Sequence, residues 1–166
     1  MKTLILMRHA KANPAPFGEK DFDRTLADRG KLDAHEMGKR LHKKQFKPDM
    51  LLCSAAVRTS KTAQIIADEV HFPVQEIVSE FDLYEAGLHE LTQIIRSVDD
   101  HIKSLLIVGH NPIITGIIGY LSGSYIEHVP TSGMASIQFN IQTWKQVAAS
   151  AGELQWFDFP KNNPNG

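Results

Sequence analysis

Cysteine is almost missing from this chain: Cys53 is the single one among 166 residues. An intrachain disulfide framework is therefore impossible. Neither a Cys-x-x-Cys pair nor a His-Glu-x-x-His segment is present, so the histidines carry no metal-site spacing and neither a metal nor another cofactor is expected. Long apolar runs are missing too, and nothing approaches the ~20 residues a membrane helix needs. The run Leu4 to Met7 is too short for a signal-peptide core and meets Arg8 at once, with no small-residue cleavage site. A cytoplasmic protein without membrane attachment is expected. Charge of one sign is also lacking. Lys and Arg number 18 against 19 Asp and Glu, a formal net charge of −1, which gives no electrostatic reason to expect nucleic acid as partner. No repeat, linker or low-complexity segment breaks the chain, and no interface pattern stands out, so a monomer is the default.

What is present is an ordinary globular composition, 42% hydrophobic. The length suits one domain, expected over residues 1–160, with a polar, frayed tail at 161–166. Such a chain buries ~70% of its unfolded surface. Leu4 to Met7 reads as a central strand buried on both faces. Asn13 to Phe22 holds two prolines and a glycine and reads as a loop. From Asp28 to Gln45, Gly30, Ala34, Met37, Gly38 and Leu41 recur at helical spacing, with Asp28 as candidate N-cap. Met50 to Cys53 reads as a second strand. A helix is expected from near Val57, with Thr62, Ala63, Ile66, Ala67 and Val70 on one face.

Pro73 ends that helix, and Val74 to Val78 reads as an edge strand. Leu88, Leu91, Ile95 and Val98 mark another helix, Ser104 to His110 a third apolar strand, and Pro112 the start of a helix continuing through Ile113 to Leu121. "ASIQFNI" alternates as a strand should, and Glu153 to Phe159 reads as a last one. Strands alternating with helices predict an α/β three-layer sandwich with a mostly parallel central sheet and helices on both faces. In such sheets the site lies beyond the carboxyl ends of the strands. Arg8-His9, "CSAAVR" and "VGHNP" all follow strands there.

Taken singly, His110 reads equally well as a hydrogen-bonded strand-end histidine, Arg58 better as a helix-surface arginine, and the pair Arg8-His9 as chance. Together, Arg8, His9, Arg58 and His110 make a cationic cup. Arginine forks hold phosphate oxygens bidentately and never lose their charge. Phosphoryl transfer needs positioning and charge stabilisation, and histidine is a competent nucleophile toward phosphorus near neutral pH. "CSAAVR" is similar to a Cys-x5-Arg phosphate loop, but only four residues separate Cys53 from Arg58, so Cys53 reads as a buried strand residue. His35 and His42, seven apart on a charged helix, read as solvated.

"LMRHAKA" resembles the Arg-His-Gly signature of the histidine phosphatase superfamily, the phosphoglycerate mutase-like fold, with Ala10 in place of glycine. "CSAAVRTSKTA" is similar to its Ser-x-x-x-Arg-x-x-x-Thr-Ala segment through Ser54, Arg58, Thr62 and Ala63, and "LLIVGHNP" to the block of the second histidine. "DFDRTLADRG" resembles the "RPLT-x-x-G" stretch of SixA-type phosphohistidine phosphatases, with Thr25 where proline is usual, and "TSGMAS" matches a SixA-type block. The resemblance runs from Lys2 to about Phe139.

It implies His9 as nucleophile, with Arg8, Arg58 and His110 holding the phosphoryl group and Arg24 near the rim. It places a possible proton donor at Glu85, with Asp82 nearby, and equally leaves Glu85 as a surface carboxylate, because an imidazole leaving group needs a general acid less than an alkoxide does. The function implied is a metal-independent SixA-type phosphatase acting on a phosphohistidine-bearing protein. Two alternatives stay open: a phosphomonoesterase taking a small phosphorylated molecule, and a phosphate-binding module without turnover.

Overall fold

The apolar run after the amino terminus becomes β1 (Lys2–Arg8), and its burial on both faces sets the layering. In the computed structural model, which describes residues 1–162, it is joined by β2 (Met50–Ser54), β3 (Val78–Glu80), β4 (Ser104–Gly109), β5 (Met134–Phe139) and β6 (Gly152–Asp158). They form one sheet in the order β3-β2-β4-β1-β5-β6. The first four positions of that order run parallel, and β5 pairs antiparallel with both β1 and β6. The helices are α1 (Asp28–Lys43), α2 (Val57–Glu69), α3 (Asp82–Glu85), α4 (Leu88–Arg96) and α5 (Ile113–Ser122). The protein is an α/β sandwich. The expected tail 161–166 lies, from residue 163 on, outside the described residues.

Side-chain alternation along the strands divides the core in two. Leu4, Leu6, Leu105, Ile107 and Ile137 join Leu91 and Ile95 of α4 and Ile114, Ile117 and Ile118 of α5. Ile5, Met7, Leu51, Cys53, Leu106 and Val108 join Met37 and Leu41 of α1 and Ala63, Ile66 and Ala67 of α2. The alternation carries past the end of β1. Arg8 continues the series facing α5, and His9 continues the series facing α2.

Four local expectations are corrected. Asp28 is not the cap of α1: Ala27 holds the N-cap, with no side-chain hydrogen bond, and Asp28 is the first helical residue. It still sits where a carboxylate favours the helix dipole. That helix ends at Lys43, and Gln45 lies beyond it with φ of 60°. Val74 to Val78 is not a strand: Val74–Glu76 forms a turn of 3-10 helix, and the edge strand is Val78–Glu80, paired with β2 from Leu52 to Ser54. His35 is not simply solvated, because its Nδ1 lies 2.8 Å from Glu69 Oε1 of α2. Among the described residues no helix is long and apolar enough to cross a membrane.

Candidate active site

His9 is held on every side of its backbone. Its N–H donates to Gly109 O (3.0 Å), its carbonyl accepts from Ser132 N (3.1 Å), and the next amide, of Ala10, donates to Thr62 Oγ1 (3.0 Å). Thr62 Oγ1 in turn donates to the Arg58 carbonyl at 2.7 Å, one turn back in α2. The four-residue spacing of Ser54, Arg58 and Thr62 thereby ties the end of β1 to α2. The His9 ring donates from Nδ1 to its neighbour, Ala10 O, at 2.7 Å. Nε2 then carries the lone pair, and Arg58 Nε donates to it at 3.3 Å. His110 stands beside it, the two ring centroids 5.4 Å apart.

Arg58 is the hub. It is buried, contrary to the surface reading its lone position suggested. Besides His9, it donates from Nη2 toward His110 Nδ1 at 3.4 Å. His110 therefore carries its proton on Nε2 and gives it to Ser54 Oγ at 2.8 Å. Arg8 approaches from the other face. Its Nη1 donates to Val129 O at 3.2 Å and lies 3.3 Å from His128 Nε2, while its Nε is buried and unpaired among the described residues. That N–H is a buried donor left without an acceptor from the protein.

Burial controls the protonation states. It drives the His9 pKa down to about 3, with the nearby Arg58, His110 and Arg8 adding to the effect and the Ala10 hydrogen bond opposing it. It brings His110 down to about 4, helped by Arg58 and Arg8 and opposed by Asp21. Burial, then Arg58, also lowers the Arg8 pKa. At neutral pH both imidazoles are uncharged, the state a nitrogen nucleophile requires. Cys53, inside the sheet, has its thiol pushed up to about 11 by burial, so it holds little thiolate.

The two weaker candidates are placed differently. Arg24 does not touch the cup. Its Nε donates to Asn13 O at 2.8 Å and its Nη1 pairs with Asp21 Oδ1 at 3.2 Å, so it reaches the site only through Asp21. Glu85, exposed at the end of α3, lines a cavity of about 300 Å³ with Tyr84, His110 and Pro112. Asp82 is exposed. A wider concavity of about 1220 Å³, lined by His42, Lys47, His71 and Phe72, sits at the amino ends of β2 and β3, away from this chemistry.

Sequence reasoning missed Asp21, Tyr84 and His128. Asp21 O and Oδ2 accept from Arg58 Nη1 (2.8 Å) and Nη2 (3.0 Å), and Tyr84 OH donates to Oδ2 at 2.6 Å. The Tyr84 ring meets His110 edge-on at 5.5 Å. Asp21 lies in a polar loop where nothing in the local pattern singles it out. Ser54 was met in the sequence through the Ser-x-x-x-Arg-x-x-x-Thr-Ala segment, and the structure gives it His110 as partner.

Two guanidiniums and two neutral imidazoles at the carboxyl edge of an α/β sheet define a phosphoryl-transfer protein. The comparisons agree. Residues 4–94 match the model of the histidine phosphatase superfamily (branch 1). An uncharacterised protein of Mycobacterium tuberculosis is 30% identical over 165 residues, 93% of this chain and all of that one. A solved structure from Agrobacterium tumefaciens, provisionally described as the phosphohistidine phosphatase SixA, superposes with a TM-score of 0.80 at 26% identity, covering 95% of this chain and 97% of that one. The structure of the protein histidine phosphatase SixA complexed with tungstate gives a TM-score of 0.81 at 19% identity over 95% and 97% of the two chains. The chain belongs to the histidine phosphatase superfamily, in its SixA-type branch, and is a phosphatase of that class.

Proposed function

We propose that the protein is a protein phosphohistidine phosphatase of the SixA type, acting through a phosphoryl intermediate on His9 and needing no metal. The observation that carries this is the state of His9: Nδ1–H given to the Ala10 carbonyl, and an unprotonated Nε2 facing the Arg58 side chain. Nε2 attacks phosphorus in line, and the bond to the departing group breaks. Arg58 and Arg8 take the equatorial oxygens. His110 joins them by gaining a proton as the phosphoryl dianion arrives, since a nearby anion raises an imidazole pKa. Water then takes the phosphoryl group from His9. Charge stabilisation comes from guanidiniums, which are donors only and cannot ligate a cation.

The test is a screen of the purified protein on phosphohistidine peptides and on alkyl and aryl phosphates, with and without chelator. Turnover of the peptides is expected to survive chelation. In single turnovers, label is expected on His9 as an acid-labile, alkali-stable phosphoramidate, and His9→Ala removes both label and turnover. Label on Cys53 or a serine overturns the mechanism.

A second reading, a small-molecule phosphomonoesterase, is favoured by the cavity Glu85 shares with His110. General acid assistance is worth ~10²–10⁴-fold for an alkoxide. Under the first reading Glu85→Gln leaves phosphohistidine turnover nearly unchanged. Equal loss on both substrate types, with esters the better wild-type substrates, selects the second.

A further inference from the structure

Asp21 is an unexpected neighbour for a phosphate cup, because a carboxylate beside the phosphoryl site repels the substrate's own charge. Yet three donors from three places fix it there. Arg58 of α2 and Tyr84 of α3 both donate to Oδ2, and Arg24, from the end of its own loop, donates to Oδ1. A carboxylate oxygen has two lone-pair sites. Oδ2 has both filled, and Oδ1 keeps one open. The side chain of Asp21 is 52% exposed while that of Arg58 is 7% exposed, so the carboxylate caps the guanidinium on the solvent side. A group bonded to the phosphorus and lying toward solvent would meet Asp21 there.

An aromatic wall stands next to it. Tyr84 packs edge-on to His110 and, at 5.0 Å, edge-on to Phe22, which in turn contacts the exposed Phe81 at 5.6 Å. A fixed anion beside an aromatic wall is the environment that suits a planar cation.

We propose that Asp21 is a specificity-determining residue: its open Oδ1 accepts the ring N–H of a protonated imidazole leaving group and disfavours groups that leave as oxyanions. This rests on the phosphohistidine reading above. The step balances simply. The substrate's imidazole enters with phosphorus on one ring nitrogen and a proton on the other, so the ring carries one positive charge. His9 Nε2 supplies the electron pair of the new P–N bond. The old P–N pair stays on the substrate ring, which leaves as neutral imidazole. Asp21 raises the population of that protonated, reactive form, and no proton changes hands in the step. Asp21 is unsuited to protonating an alkoxide. The Tyr84 hydrogen bond first, then Arg24 and Arg58, hold its pKa down to about 2 against the effect of burial. With an ester, the developing negative charge faces a permanent carboxylate.

The measurement is kcat/KM of wild type and Asp21→Asn on a chemically phosphorylated histidine peptide and on p-nitrophenyl phosphate, with Tm as a check on folding. The ratio of peptide to ester activity is expected to fall about ten-fold or more, the scale of losing one hydrogen bond to a charged group. Ester activity itself is expected to hold or rise. If both activities fall together, Asp21 only aligns Arg58 and the proposal is overturned; an unchanged ratio overturns it as well. Tyr84→Leu, which removes the wall and one anchor of the carboxylate, is expected to shift the ratio the same way. It decides the matter should Asp21→Asn fail to fold. A wild type that hydrolyses esters and ignores the peptide defeats the phosphohistidine reading itself. A wild type active on the peptide with an unmoved ratio defeats the role of Asp21 alone.

Discussion

Arg58 addresses three partners with one planar group: Nε to His9, Nη2 to His110 and Asp21, and Nη1 to the Asp21 carbonyl. A lysine offers one compact charge and cannot hold this fork. Arg58→Lys is expected to fold and to lose ~10²-fold or more in kcat, the scale of removing one transition-state donor. Steady-state kinetics check this, and activity within a few-fold of wild type would place Arg58 outside the reaction. Ser54 acts at one remove, as a positioning residue. Its hydroxyl oxygen accepts a hydrogen bond from His110 Nε2–H and so turns Nδ1 toward Arg58. At this scale the sequence revealed residue types but not partners. Arg8, His9, Arg58 and His110 were legible because each sits at or just beyond the carboxyl end of a strand on the same sheet edge. Asp21 and Tyr84 were not, because a loop carboxylate and a short-helix tyrosine become a pair only when the loop after β1 folds across the start of α2.

The strands and long helices were legible because their periodicity reflects which faces are buried, and two core clusters enforce it. The segment after Pro73 was not. "VQEIV" is rich in β-branched residues, as a strand is, yet the backbone turns through 3-10 helix first, and pairing with β2 selects Val78–Glu80 instead. Pairing partners of an edge strand lie far away in sequence, so local pattern cannot fix its register. The start of α1 carries a different constraint. A Cβ on Gly30 would stand 2.1 Å from the Lys11 carbonyl oxygen, which already accepts the Ala27 N–H at 3.0 Å. The glycine of the "DRTLADRG" stretch is thus needed for close approach of helix to backbone, two residues beyond His9. Gly30→Ala is expected to push α1 off this loop and to cost ~1–3 kcal/mol, as overpacking does. Denaturant unfolding checks this, and an unchanged midpoint would show that the helix tolerates the methyl group.

At the scale of the whole molecule, the site is placed in the protein at the expense of acid stability. An unfolded histidine titrates near ~6.5, whereas burial holds His9 at about 3 and His110 at about 4. Between those limits the unfolded chain binds more protons than the folded one, so stability rises with pH. The full contribution is present above the unfolded value and is lost as pH falls from ~6.5 toward the folded values. Asp21 has the same sign but acts lower: its depressed pKa withdraws stability only as pH falls from 3.8 toward about 2. Unfolding midpoints at pH 7 and pH 5 therefore isolate the histidines from Asp21. Wild type is expected to be less stable at pH 5, and His9→Gln, which has no proton to refuse, is expected to lose less over the same interval. Tungstate, an oxyanion, acts against the trend. By favouring a protonated His110 it is expected to stabilise wild type more at pH 5 than at pH 7, read as a larger shift in Tm at the same tungstate concentration. Identical pH slopes for wild type and His9→Gln would mean that His9 takes up its proton as readily in the folded protein as in the unfolded chain, which overturns the burial that holds its pKa down.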